Sequence, residues 1–296
     1  MQPVRTFMLS LALTLAQCSE PAELAPPNPV PMASPHLTVH NWPQDGEAIA
    51  HVHVVTIPPG YPVNVAVDSD LKTVQEFAME TNALAVLNGG FFDPNNGQTT
   101  SFITVDGALA ADPRHNQQLM NNPDLAIYID AILNRSEFRR YDCGDSIRYD
   151  ITPHSAPMPQ GCLLHMALGA GPQLLPDTSQ AEGFTDYRNG ALIRDALGGQ
   201  SRNARSAVGL KPDGTLVWVM VARATPAGGM TLAELADYMV TMEVQKGLNL
   251  DGGSSSSLYF DQRLVGFENN QSGVEPTDQS HNLRPVKSVL VLPHQP

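Results

Sequence analysis

Positive charge is scarce in this chain: 17 Lys and Arg stand against 30 Asp and Glu, for a net charge of −13 over 296 residues. That balance excludes general binding to nucleic acid, because a polyanion needs a basic footprint. It leaves room for a local arginine-lined pocket for one phosphate. Cysteine is also rare, at 3 residues, which excludes a disulfide-dense mini-scaffold and a four-cysteine zinc site. Past the N-terminal leader no apolar run is long enough for a transmembrane helix. Several catalytic signatures are missing too. "GGSSSSL" lacks the closing glycine of a nucleophile elbow, and neither a P-loop nor an H-E-x-x-H pair occurs.

What is present begins with a leader. "MQPVRTFMLSLALTLAQCSE" carries one early charge, Arg5, then an apolar run from Phe7 to Ala16. The run is too short to span a bilayer and reads as a secretory signal. "LAQC" approximates a lipobox with Cys18 as the lipidated residue. Gln17 departs from the small residue expected there, and cleavage after Ala16 is the competing reading. Residues 1–18 are therefore expected as the signal and 19–48, rich in proline, as a semi-rigid tether. Such a chain is expected to be exported, to the periplasm or cell envelope, with a membrane contact only in the reading where Cys18 carries a lipid. In an oxidising compartment Cys143 and Cys162 suggest one disulfide; two free thiols are the alternative.

The remaining residues, 49–293, read as one strand-rich domain. "HVHVVTI" and "VNVAV" are β-branched runs separated by a Pro/Gly turn. "DLKTVQEFAMETN" spaces Leu71, Val74, Phe77 and Ala78 as a helix does. "ALAVLN" is a short buried strand, "SFITVDGAL" a hairpin around Asp106-Gly107, and "LAIYI" and "FRRYD" are further strand candidates. Residues 176–204 read as a long loop. "SAVGLKPDGTLVWVMVA" gives two strands joined at Pro212-Asp213-Gly214. In "GMTLAELADYMVTMEVQKG", Thr231 and Glu234 form a capping box. Leu232, Leu235, Ala236, Met239 and Val240 mark one buried helical face, and Gly247 is placed to stop that helix. "RPVKSVLVLP" is a final strand. Many strands among few helices predict a mixed α+β fold.

Two stretches look alike: "VLNGGFFD" and "LNLDGGSSSS" each end an apolar run with an asparagine, two glycines and a carboxylate. Glycine there allows positive φ or close backbone approach, and successive N–H groups can cradle an anion. Asp251, if held by local hydrogen bonds, serves as base, nucleophile or electrostatic stabiliser. The alternative is a pair of structural turns. Arg202, Arg205 and Arg284 stand at strand starts, where a guanidinium can fork a phosphate. His51 and His53 share a strand face but lack further ligands in a metal spacing. No cofactor is required, and nothing demands a divalent cation near the aspartates.

"NGGFFD", "ARSAVGLKPDGTLVWVMV", "GMTLAELADYM" and "LNLDGGSSSSLYF", in this order, resemble the phosphodiester glycosidase family over roughly residues 50–293, with "LGAGPQLL" and "RPVKSVLVL" also fitting. The resemblance implies a site using Asn88, Gly89, Gly90 and Asp93 from the first motif and Arg205 from the second. The last motif would add Asp251, Gly252 and Gly253; Asn249, Ser254, Ser255 and Arg284, which opens the final strand, are further candidate binding residues. Ser254 stands where relatives carry a third glycine. It further implies hydrolysis of a sugar-1-phosphodiester, with Asp251, Asp93 and Arg205 as catalytic candidates and a sugar-phosphate or glycan as partner. The rival expectations are a non-catalytic envelope protein that binds a glycan or phosphorylated polymer, and a serine hydrolase using the serine run.

Overall fold

In the computed structural model, residues 33–268 and 283–294 are described. The leader, Cys18 and most of the tether lie outside them. The chain opens with strands β1 (His36–Trp42), β2 (Ala50–Ile57) and β3 (Asn64–Lys72), then helix α1 (Val74–Thr81) and β4 (Ala83–Asn88). Next come β5 (Ile103–Val105), β6 (Ala108–Ala111), short helices α2 (Gln117–Met120) and α3 (Ile129–Leu133), β7 (Ser136–Cys143), β8 (Ser146–Pro153), β9 (Leu163–Gly169) and β10 (Gln173–Leu175). β11 (Thr185–Arg188) and β12 (Ala191–Asp195) precede β13 (Arg205–Leu210), β14 (Leu216–Arg223), α4 (Leu232–Thr241) and β15 (Lys246–Asn249). β16 (Ser257–Phe260), β17 (Arg263–Gly266) and β18 (Val286–Pro293) complete the series.

Three antiparallel sheets share one core. Their strand orders are β1-β2-β14-β13-β15-β10, β17-β16-β4-β18-β3 and β6-β5-β9-β7-β8. Alternation along each strand sends one face inward. Trp218, Met220 and Val55 of the first sheet meet Leu87, Leu258 and Leu290 of the second and Phe138, Met166 and Leu168 of the third. The outer face of the first sheet is covered by α4 through Leu232, Leu235, Ala236 and Met239. The outer face of the second is covered by α1 through Val74, Phe77 and Ala78. Both helices start in capping boxes, Thr73 with Glu76 and Thr231 with Glu234, each hydroxyl and carboxylate bonding the other residue's backbone. The result is the α+β class expected from the element pattern. Cys143 and Cys162 form a disulfide beside the β7–β8 hairpin.

Five local expectations change. The folded body begins before residue 49, because His36–Trp42 pairs with β2 as an edge strand. "LAIYI" is not a strand: Asn122 caps a 3-10 turn starting at Pro123, and the chain continues into α3. The 176–204 loop contains the β11–β12 hairpin, whose tip residues Asn189 and Gly190 both take positive φ. That pair is a type I′ signal and was available in the sequence. Gly247 does not stop α4, which closes at Met242; it lies inside β15, packed against Met239 and Leu175. Val240 is 56% exposed rather than part of the buried helical face.

Candidate active site

The two look-alike motifs are brought together by the ends of β4 and β15. Asn88 closes β4 and is fully buried. Its Nδ2 donates to the Asp251 carbonyl at 2.7 Å, while its Oδ1 accepts from the Ser206 hydroxyl at 2.6 Å and the Ser257 N–H at 3.1 Å. One carboxamide thus ties β4 to β13, β16 and the turn after β15. Next to it, the Asp251 N–H donates to the Gly89 carbonyl at 3.0 Å. Asn249 anchors the other side: its Nδ2 donates to the Gly171 carbonyl at 2.8 Å and its N–H to the Pro172 carbonyl at 3.1 Å.

Glycine is required in the first motif for close approach rather than for positive φ. A Cβ on Gly90 would lie 2.2 Å from the Gly169 carbonyl oxygen, and one on Gly89 would lie 2.6 Å from the Ser288 hydroxyl. Their N–H groups are not an anion cradle: Gly89 donates to the Ser288 carbonyl and Gly90 to the Ser288 hydroxyl. Gly253 does need its freedom, at φ +59°. Ser254 keeps a negative φ and points outward, so a side chain is accommodated there without strain. It accepts a hydrogen bond from Arg284 Nη1 at 3.0 Å.

Asp251 is partly open to solvent, yet protein encloses most of its surroundings. Burial pushes its carboxyl up from 3.8 to about 6. The nearby Ser255 hydroxyl, the Arg284 charge and the Gly252 N–H pull in the opposite direction. Among the described residues the Ser255 and Ser256 hydroxyls and Asn249 Oδ1 are buried without a well-formed hydrogen bond. Arg284 also lies over the Phe92 ring, 5.2 Å from its centroid, which fixes the guanidinium beside the turn.

Two of the candidate catalytic residues occupy different positions from those expected. Arg205 is only 3% exposed. Its guanidinium donates to the carbonyls of Met230, Leu197, Gly198 and Ser201 at 2.8–3.3 Å. Four of its five N–H donors are consumed by backbone, so it braces the loop behind the turn instead of offering a fork to phosphate. The Asp93 carboxylate accepts from the Asn95 N–H at 2.9 Å and closes the 93–98 turn. Among the described residues it makes no hydrogen bond or ion pair with Asp251, Ser254 or Arg284. Arg202 pairs with Glu234 at 2.6 Å, at the start of α4.

Sequence reasoning missed Ser206, Ser257 and Ser288, which knit the site from three strands. The available signal was a serine interrupting an apolar strand, as in "RSAVGL" and "VKSVLVL". It also missed Glu182, whose buried carboxylate accepts from Ser136 N, Ser136 Oγ and Gln173 N and holds the 176–184 segment against β7 and β10. His51 and His53 do not form a metal pair. His53 is buried with both ring nitrogens unpartnered, and His51 bonds Asn41.

Three antiparallel sheets around one core, with a partly exposed aspartate at the junction of two glycine-containing turns and an arginine near it, define a strand-rich α+β domain. The model of one family, described as phosphodiester glycosidase, matches residues 81–292, and the chain belongs to that family. Among solved structures it is similar to the zebrafish N-acetylglucosamine-1-phosphodiester alpha-N-acetylglucosaminidase catalytic domain auto-inhibited by its pro-peptide. That match has a TM-score of 0.59 and 18% identity, covering 88% of this chain and 83% of the other. A hypothetical protein from Synechocystis matches with a TM-score of 0.56 and 16% identity, over 87% of this chain and 61% of the other. A candidate exported protein from Burkholderia pseudomallei matches with a TM-score of 0.55 and 19% identity, over 83% of this chain and 74% of the other. No curated protein matches the chain.

Proposed function

We propose that this chain is an exported hydrolase that cleaves a sugar-1-phosphodiester between the anomeric carbon and the bridging oxygen. The observation that carries the reading is that one turn brings together the Asp251 carboxyl, raised by burial, and the Arg284 guanidinium, which Ser254 and Phe92 hold close enough to act on it by charge. In the reaction the C1–O bond breaks and the oxygen of water joins C1. One proton of that water stays on the new sugar hydroxyl; the other passes to Asp251 or solvent. The phosphomonoester leaves with the bonding electron pair. Because that leaving group is acidic, little protonation is needed, and the demanding task is the positive charge developing at C1. Asp251 in its ionised form stabilises that charge or activates the water. Arg284, free of a carboxylate partner among the described residues, takes the phosphate role first given to Arg205.

Family membership, the disulfide and the likeness to a candidate exported protein support export and glycosyl-bond chemistry. The test is turnover of a panel of sugar-1-phosphodiesters, read as phosphomonoester release. Product formation by the wild type and its loss in folded Asp251→Asn are expected. Tight glycan binding with no product after long incubation would instead favour a non-catalytic envelope binder.

A further inference from the structure

At the far end of β13 and β15 from Asp251 the protein holds a cavity of about 400 Å³. It opens between the β2–β3 turn, the β13–β14 turn, β8 and the residues that lead into β15. Strand length sets its distance from the catalytic turn at roughly 15–20 Å, since each residue of β13 advances about 3.3 Å. Its volume is in the range of small-molecule sites.

The lining is unusual for so acidic a chain. Arg148, Lys211 and Lys246 all face the cavity. Lys246 is matched by Asp150, in an ion pair that joins β15 to β8 and so fixes the cavity wall between two sheets. Arg148 and Lys211 form no ion pair and donate no side-chain hydrogen bond among the described residues. Asp213, the other acid at the rim, spends its carboxylate on the Thr215 N–H of its own turn. Asp213 still feels the Lys211 charge, so the lining sets three cations, Arg148, Lys211 and Lys246, against two carboxylates, Asp150 and Asp213. The concavity is thus net positive in a chain of net charge −13, with Arg148 its unpartnered cation among the described residues, and an anion is favoured there. Hydroxyl partners are present as well: the Gln245 side-chain amide is exposed and unbonded, and Asp150 keeps acceptor capacity beyond Lys246. Pro59 and Pro212 supply apolar rim surface suited to sugar C–H faces.

We propose that this cavity is a second binding site, for a monosaccharide unit bearing one anionic group, with Arg148 and Lys211 on the anion and Gln245 and Asp150 on ring hydroxyls. The proposal does not depend on the chemistry assigned to Asp251. It gives the protein two places to hold an anionic glycan, one reactive and one not.

Calorimetric titration of the intact protein tests it, with glucose 6-phosphate, glucuronate, glucose and inorganic phosphate as probes. Saturable binding of glucose 6-phosphate, glucuronate or both is expected, weakened about tenfold or more by Lys211→Glu or Arg148→Glu and untouched by Asp251→Asn. Which of the two sugars binds reports whether the anion is a phosphate or a carboxylate. Both replaced side chains lie outside the core, so melting temperatures should stay near wild type. Gln245→Ala, which leaves every charge in place, should weaken sugar binding and not phosphate binding. The proposal fails if neither charged sugar binds saturably, or if inorganic phosphate binds as tightly as both. It fails equally if Asp251→Asn removes the binding while the charge reversals leave it intact.

Discussion

Replacing Asp251 by asparagine should make the folded protein more stable while it abolishes turnover. The carboxyl titrates near 3.8 when free and about 6 when folded, because burial disfavours its charge. The sign follows from linkage. Below the unfolded value both states carry the proton and the site costs nothing. As pH rises towards 6, the unfolded chain ionises first, and folding is progressively disfavoured. At about 1.4 kcal/mol for each pH unit, the gap is worth about 3 kcal/mol at neutral pH and above. The side chain is partly open to solvent, so screening reduces this to about 1–2 kcal/mol between pH 4 and pH 8. Asparagine has the same shape, keeps an acceptor for the Gly252 N–H and carries no charge. Urea denaturation of both proteins at pH 4 and pH 8 measures the effect. The stability difference should grow in favour of the variant by that amount, equivalent to a few degrees in melting temperature. A difference that stays flat across the two pH values, or a wild type that is the more stable at pH 8, would refute the argument that this turn holds its carboxylate against a desolvation cost.

Three further outcomes are expected. His53, buried with both ring nitrogens unpartnered, has its pKa lowered by burial from 6.5 to about 4. Its neutral form is therefore favoured on folding, and stability present above pH 6.5 is lost as pH falls towards 4, by roughly 3 kcal/mol; His53→Leu should flatten that acid limb in denaturation curves. Gly90→Ala places a Cβ against the Gly169 carbonyl, where no flexible atom can yield. A loss of about 3 kcal/mol or more, with low soluble yield, is expected and is read by thermal melting. Arg205→Lys keeps the charge but cannot serve four carbonyls at once, so it should lower the melting temperature by several degrees, a loss that substrate analogue does not restore.

The sequence made most of the fold legible where side-chain periodicity and local bonding agree. α4 and its capping box, the Asp106-Gly107 hairpin and the Pro212-Asp213-Gly214 turn are all specified by a few adjacent residues. The placement of Asp251 in a turn between two strands was legible in the same way, since apolar runs flank it on both sides. What stayed hidden depends on contacts distant in sequence. Arg205 looked like a phosphate ligand because strand-end arginines can be, yet its four carbonyl partners come from two loops that sequence spacing does not bring together. The glycines of "NGGFFD" were expected to offer N–H groups, and only the arrival of Ser288 some 200 residues later shows those groups already taken. Arg284 gained its importance the same way, through Ser254 and Phe92.

Asn88 and Gly89 also have a bearing on how the protein ages. In an Asn-Gly pair the backbone nitrogen readily attacks the preceding carboxamide, and the asparagine is lost through a cyclic imide. In the native chain that nitrogen is committed to Ser288, and the carboxamide is pinned at both ends by Asp251, Ser206 and Ser257. Asn189-Gly190, at an exposed hairpin tip, has no comparable guard. Chemical wear during storage should therefore collect at the hairpin and spare the turn after β4 for as long as the chain stays folded.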